Sequence, residues 1–500
     1  MKKNKIISIF LSVILSTAIF VPSFAVNEEN CFIKSVAVNK TVPDGYTEIT
    51  NIDELNAVRD NLDGKYILMN DVDLSSVTNW TPIGNKDVPF TGVFNGNGYS
   101  VKNLSVTEVS NKSVGLFGDI NNATVANVYI EKVNIKINNP YQVAYYVGAV
   151  AGVINSSNVL NCSASGCVDV TAGGTLCIGG IAGYISEGNS TVMNCLNTVN
   201  IQAEGVLSDD GFGLGSVIYA HIGGIAGIVY NDNTISRCMN KGNIGVTPLN
   251  YVYSGGICGS ALYNAPITDC ANNGKISVNG TATVGGICGQ SHTITNCYNT
   301  GAISVDNESN SKLGGIAGTT QFNMSRAIIY PLPENTVNAT VANCYYIDEY
   351  ETAISNGTEG DVSSVKALSA DEFTNQESFA GFDFIKVWVT PPNEAPILMR
   401  KTSELGSYME VKGTDSFELF GSIVYAVSNN EEIVTVESNS LVKCISSGKT
   451  SIDTINADGD FSVIEISVVY ENEDEAPKGI FEKISEFFAS LVAWFLAIFD

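Results

Sequence analysis

Gly255-Gly256-Ile257-Cys258-Gly259 recurs thirty residues on as Gly285-Gly286-Ile287-Cys288-Gly289. The same glycine-flanked apolar segment stands upstream as Gly115-Leu116-Phe117-Gly118, Gly148-Ala149-Val150-Ala151-Gly152, Gly179-Gly180-Ile181-Ala182-Gly183 and Gly223-Gly224-Ile225-Ala226-Gly227, and downstream as Gly314-Gly315-Ile316-Ala317-Gly318. The final glycines are 34, 31, 44, 32, 30 and 29 residues apart. A fixed period of this size is the mark of a stacked repeat architecture. A second element follows each copy and ends in a small polar residue plus cysteine: Asn161-Cys162, Asn194-Cys195, Arg237-Cys238, Asp269-Cys270, Asn296-Cys297 and Asn343-Cys344. A third begins near a glycine, as in Gly242-Asn243-Ile244, Gly274-Lys275-Ile276 and Gly301-Ala302-Ile303.

Each unit thus reads as three short β-runs separated by turn residues. Runs such as Ile294-Thr295-Asn296-Cys297 are too short for helices and alternate with period two. Three short strands cannot bury a face alone, but stacked units can, each strand pairing in parallel with its counterpart one coil away. The expected fold is all-β: a right-handed parallel β-helix, or β-solenoid, whose seven coils at about 4.8 Å each rise roughly 34 Å. Glycine serves the tight turns, Ile and Val the interior, and Asn the corners, where it can bond to its equivalents above and below. Cysteine serves as a small inward apolar group, and the stacked thiols are expected to stay free, since parallel Cβ vectors suit a disulfide poorly. Gln321 to Val341 and the long 183-to-227 interval break the period and are expected to leave the solenoid as loops.

Around this core lie other segments. Residues 1–25 read as a secretory signal, with Lys2, Lys3 and Lys5, an apolar stretch and Ser23-Phe24-Ala25. Residues 45–110 should hold the N-terminal cap and first coils, with a helix from Asn51 to Leu62 that Asn51 caps and that turns Ile52, Leu55, Val58 and Leu62 onto the open core. Residues 111–348 form the repeats, and 349–400 a C-terminal cap with a helix near Ser369 to Phe379. Residues 403–470 alternate as strands of a small Ig-like β-sandwich. An acidic linker, 471–477, precedes an apolar, amphipathic C-terminal helix, 478–500. There Phe481, Ile484, Phe488, Leu491, Phe495 and Ile498 form a stripe that Trp494 flanks, suited to a membrane, to self-association or to docking on the sandwich.

The repeats resemble GLUG-motif repeats: Gly115-Leu116-Phe117-Gly118 matches the Gly-Leu-x-Gly pattern, and later copies place Ile for Leu. The lead-in from Gly64 to Gly98 and the exit from Phe379 to Leu398 resemble the flanks of such arrays, and the stretch from Val427-Ser428-Asn429-Asn430 through Gly448-Lys449-Thr450-Ser451-Ile452 resembles a bacterial Ig-like domain of the invasin and intimin type. The resemblance implies a β-helix on a surface protein. Such repeats sit on adhesins, on IgA-cleaving metallopeptidases and on other surface proteins.

The chain carries 26 basic and 52 acidic residues, a net charge of −26. It shows no basic patch for phosphate, so no nucleic-acid partner is expected. His221 and His292 are its two histidines, in separate repeats, and no HExxH is present. A zinc peptidase centre is therefore not expected, nor any cofactor. GxSxG and Walker motifs are likewise missing. Asp209, Asp210 and Asp232 could meet at one edge, and Asp71 and Asp73 are candidate calcium ligands unless Asp73 merely supports a turn. Tyr141, Tyr145, Tyr146, Tyr219, Tyr251 and Tyr253 precede the glycine segments and could form a strip that stacks on carbohydrate or binds protein. The expectation is a secreted, surface-associated, non-catalytic adhesin-like protein whose partner is a host or cell-envelope glycan or protein. The alternative is a carbohydrate-active enzyme, a polysaccharide lyase or glycosidase, using one solenoid face.

Overall fold

The protein is described here by a computed structural model covering residues 32–34 and, with interruptions of which 206–218 and 322–338 are the longest, residues 45–469. The expected leader, the acidic linker, the C-terminal helix, residues 206–218 of the first long interval and nearly all of the second insert lie outside the described residues. The rest of the 183-to-227 interval does not leave the solenoid as expected: Ala182–Ile185, Thr191–Met193, Leu196–Gly205 and Tyr219–Gly223 are strands of its parallel sheets. Residues 339–341, expected in the second insert, instead rejoin the solenoid within the strand Ala339–Ala342.

Four parallel sheets build the rod, with 11, 14, 7 and 8 strands, the last two beginning only at Ser113 and Phe117. Sheet 1 starts at Thr47–Ile49 and ends at Gly360–Asp361. Sheet 2 carries the segments after each cysteine, sheet 3 the strands before each glycine segment, and sheet 4 the strands after it. The register advances one repeat at a time, as in Ile201↔Ile244, Ile244↔Ile276 and Ile276↔Ile303. The expected three runs per repeat are in fact four, because the glycine segment divides a run in two. One strand ends at Gly255, Ile257 turns inward fully buried, and the next begins at Cys258.

Two close approaches explain the paired glycines. A Cβ on the first, Gly255, would meet Cys288 Cα of the next coil at 2.6 Å. A Cβ on the second would strike a buried asparagine of its own coil: Gly180 meets Asn197, Gly224 meets Asn240, Gly256 meets Asn272 and Gly286 meets Asn299. These asparagines form a ladder two residues after the cysteines, each Nδ2 donating to the next Oδ1 at 2.8 Å. In the first two repeats Ile130 and Ala164 occupy the ladder position, and there the second residue of the segment is Leu116 or Ala149 rather than glycine. The variation of the motif along the chain thus follows one steric rule.

The residue before each cysteine adopts a left-handed turn, with φ near +50° at Asn127, Asn161, Asn194, Arg237, Asp269, Asn296 and Asn343. Asparagine tolerates this conformation best among non-glycine residues. Here too amides link the coils, Asn161 Nδ2 donating to Asn127 Oδ1 at 3.2 Å and Asn194 Nδ2 to Asn161 Oδ1 at 3.0 Å. The following cysteines, Cys162, Cys195, Cys238, Cys270, Cys297 and Cys344, are fully buried in one column. Backbone N–H groups of Cys238 and Cys270 donate to the sulfurs of Cys270 and Cys297 at 3.4 and 3.3 Å. The described cysteines form no disulfide.

Helix α1, Ile52–Ala57, seals the N-terminal end. Asn51 Oδ1 accepts from the N–H groups of Asp53 and Glu54, and Glu54 Oε2 accepts from Thr50 N. Leu55 and Val58 are fully buried and Ile52 and Leu62 pack beside them, as the spacing expected, but the helix ends at Ala57 and gives way to a 3₁₀ turn, Val58–Asp60, short of the expected Leu62. At the other end the structure departs from expectation. Residues 369–379 form two 3₁₀ turns, Glu372–Thr374 and Gln376–Ser378, and not a helix. Together with the chain up to Leu398 they lie along the outside of sheet 2. Phe373, Phe379, Phe382 and Trp388 cover the outward side chains Leu196, Met239, Ala271, Tyr298 and Tyr345. Those residues stand between cysteine and ladder asparagine, and an apolar outward row needs cover.

The C-terminal sheets are Ig-like. One holds Ser416–Glu418, Leu441–Cys444 and Val434–Glu437, and the other includes Ser407–Lys412, Ile423–Ser428, Gly448–Asn456 and Asp460–Val469. Val434, Val442, Ile452 and Ile466 fill the core between them. The N-terminal strand Phe32–Lys34 joins this sheet, antiparallel to Ser407–Lys412.

Candidate binding face and its relatives

Sheets 3 and 4 meet along a column of glycines. A Cβ on Gly183 would fall 2.6 Å from the backbone of Tyr146, and one on Gly259 would fall 2.7 Å from that of His221. Each sheet 4 strand is thereby seated beside the sheet 3 strand of the preceding coil, and their outward side chains share one seam. Along the seam Tyr146 stacks on Tyr184 with centroids 5.3 Å apart. Tyr184 meets Tyr230 edge-on at 5.6 Å, and Tyr230 meets Tyr263 at 5.8 Å. Parallel pairing sets a second block: Tyr219 lies over Tyr251 and His221 over Tyr253, each pair stacked at 5.2 Å. All eight rings are half-buried. They follow one another along the rod axis from coil to coil. This gives a rigid amphipathic strip of the kind that anchors protein interfaces.

His221 Nδ1 lies 2.8 Å from Ser260 Oγ across the seam. Desolvation drives the imidazole pKa down to about 4, so the ring is neutral near pH 7. A neutral imidazole bonded to a hydroxyl has the form of a nucleophile and base. Ser260, however, is fully buried and cannot reach a substrate. The pair is a structural bond between two coils.

The structure sorts the aromatic residues singled out in the sequence. Tyr219, Tyr251 and Tyr253 come together, and Tyr146 joins the same seam. Tyr145 does not: it is 2 % exposed, its neighbours in the strand alternate outward, and Asn139 Nδ2 donates to its hydroxyl at 2.6 Å. Tyr141 lies outside the described residues, as do Phe481, Ile484, Phe488, Leu491, Trp494, Phe495 and Ile498. Tyr184, Tyr230 and Tyr263 were missed because they follow the glycine segments, and only the seating of one sheet against the other brings them alongside.

Asp71 and Asp73 are engaged without a metal. Asp71 Oδ2 is 2.6 Å from Lys102 Nζ and Asp71 Oδ1 accepts from Ser100 N. Asp73 Oδ1 accepts from Ser75 N and Asn103 Nδ2, bonds that hold its carboxyl below the usual range. These contacts support the turn role. Asp209 and Asp210 lie outside the described residues, and Asp232 is exposed.

Comparison with known proteins adds a family. Residues 28–166 match the model of the M26 IgA1-specific metallo-endopeptidase N-terminal region, under a third of the chain. Halomucin of Haloquadratum walsbyi is 30% identical over 174 residues, 32% of this chain, and the chain spans 2% of halomucin's length. Among solved structures, a putative immunoglobulin A1 protease from Bacteroides ovatus aligns at 19% identity and TM-score 0.44, covering 70% of this chain and 91% of that one. A protein named IgA1 Protease aligns at 11% identity and TM-score 0.38, covering 85% of this chain and 34% of that one. A metallo-endopeptidase implies a metal, and the donors do not fit one: among the described residues no group of three His, Cys, Asp or Glu side chains could hold it. No hydrolytic step is therefore assigned to them. The family match nevertheless corrects two expectations, that of a non-catalytic adhesin-like protein and that of no enzymatic role, for residues 28–166 are similar to the N-terminal region of metallo-endopeptidases.

Proposed function

We propose that this chain takes part in IgA1-protease-like proteolysis outside the cell, its solenoid being the region that engages the protein substrate. The family match over residues 28–166 carries this reading, since it spans the N-terminal cap and the first coils. The repeats are of GLUG type in this reading, and the leader-like residues 1–25 fit export. The seam supplies the contact surface: eight preordered rings offer large area at small entropic cost.

The test immobilises the full chain without its first 25 residues and passes IgA1 over it, with serum albumin as control. Selective retention of IgA1 is expected, weakened about tenfold in the double variant Tyr219→Ala/Tyr251→Ala, or roughly 1.4 kcal/mol. Equal retention of both proteins, or of neither, ends the reading. Cleavage of IgA1 is followed on gels in the same samples, with and without a chelator.

A further inference from the structure

Sheet 2 holds, on its outward face, a concavity of about 510 Å³ across the strands Ser163–Ala172, Leu196–Gly205, Ile244–Thr247 and Ile276–Val278. Two columns of side chains line it. In one, Asn200 and Asn243 each spend the carbonyl oxygen on the next coil, Asn200 Oδ1 accepting from Asn243 N and Asn243 Oδ1 from Lys275 N, both at 3.0 Å. Those bonds hold the two amides in place, one coil apart, on the lining of the concavity. In the other column the register runs Asp169, Gln202, Gly245, Ser277. A Cβ on Gly245 would collide with the Gln202 amide, so this glycine keeps the floor open and lets Gln202 lie across it.

The charges are placed for a ligand and not for each other. Asp169 and Lys275 stand three coils apart, about 14 Å at the usual strand spacing, and neither takes part in an ion pair among the described residues. One carboxylate, one ammonium and a row of amides on a chain of net charge −26 do not suit a polyanion. The scarcity of carboxylates also rules against the paired acid and base of a glycosidase at this place. Fixed amide donors, a carboxylate acceptor and a hydroxyl at one-coil intervals instead match a ligand that presents both donors and acceptors along a line.

We propose that this concavity is a binding site for a neutral oligosaccharide chain laid along the rod axis, with Asn200, Gln202 and Asn243 bonding its hydroxyls and Asp169 and Lys275 holding its two ends. The site lies on a different sheet from the aromatic seam and does not depend on the proteolytic reading. The test probes a glycan array bearing neutral, sialylated and sulfated glycans with the full chain lacking residues 1–25. The best neutral glycan is then titrated by calorimetry against Gln202→Ala and Lys275→Ala. Retention of neutral glycans is expected, with affinity falling about tenfold or more in each variant. Melting temperature should be unchanged, because these two side chains brace nothing, and Tyr219→Ala/Tyr251→Ala should bind the glycan as the parent does. Failure of every neutral glycan to bind, retention of charged glycans alone, or undiminished affinity in both variants overturns the proposal. Loss of IgA1 capture with glycan binding intact would sink only the proteolytic reading.

Discussion

Asn240 has no contact with solvent and makes four side-chain hydrogen bonds, to Asn197, to Asn272 and twice to Gly242. Replacing it with leucine strands the Gly242 N–H and fills space meant for an amide. The expected cost is about 3 kcal/mol, since an orphaned buried donor loses its full solvation, read as a lower urea midpoint. His221 makes a pH-dependent contribution. Its pKa is near 6.5 in an unfolded chain and about 4 in place, so the unfolded form binds the proton first. Stability should be level above this window and fall as pH drops from about 6.5 toward 4. His292 shifts the same way, and the carboxyls of buried Asp119 and half-buried Asp269, raised by desolvation, act with the opposite sign. The measurement is therefore the difference between the parent chain and His221→Gln. A parallel loss of melting temperature in both over this range would refute it.

Among elements, the paired glycines show what the sequence could and could not reveal. Their period announced stacked parallel strands, because backbone spacing alone demands it. The reason for two glycines lay in Asn272 and its equivalents, which sit 13 to 17 residues further on and touch them only after the coil closes. Gly256→Ala should thus destabilise by about 2 kcal/mol or more, because Asn272 must leave its ladder, whereas Ala149→Gly should cost about 1 kcal/mol or less, as Ala164 stands where the asparagine would be. Thermal melting of the two variants decides it. Helix α1 was legible because capping is local: Asn51 and Glu54 act within one turn. The C-terminal flank was not. Phe373, Phe379 and Trp388 read as a lid for an open end, but the apolar row Met239, Tyr298 and Tyr345 on the side of the rod is what they cover. Which surface an apolar segment seeks depends on faces that form only when strands are stacked. The aromatic seam was half legible for the same reason: Tyr219 and Tyr251 align by repeat register, while Tyr184 and Tyr230 line up with Tyr146 only across two sheets.

At the scale of the molecule the rod is a one-dimensional array, each coil supported by its neighbours, so opening should spread from the ends rather than occur at once. The column of cysteines makes that process visible. Cys167 is exposed on the flank, while the six column thiols are sealed between coils, so each sealed sulfur becomes reactive only when its own coil comes apart. In a timed alkylation read by peptide mass spectrometry, Cys167 should label first, Cys344 well before Cys238, and Cys238 last. A chain built this way carries a ruler along its length, graduated in thiols, on which the progress of fraying can be read coil by coil without adding a single probe.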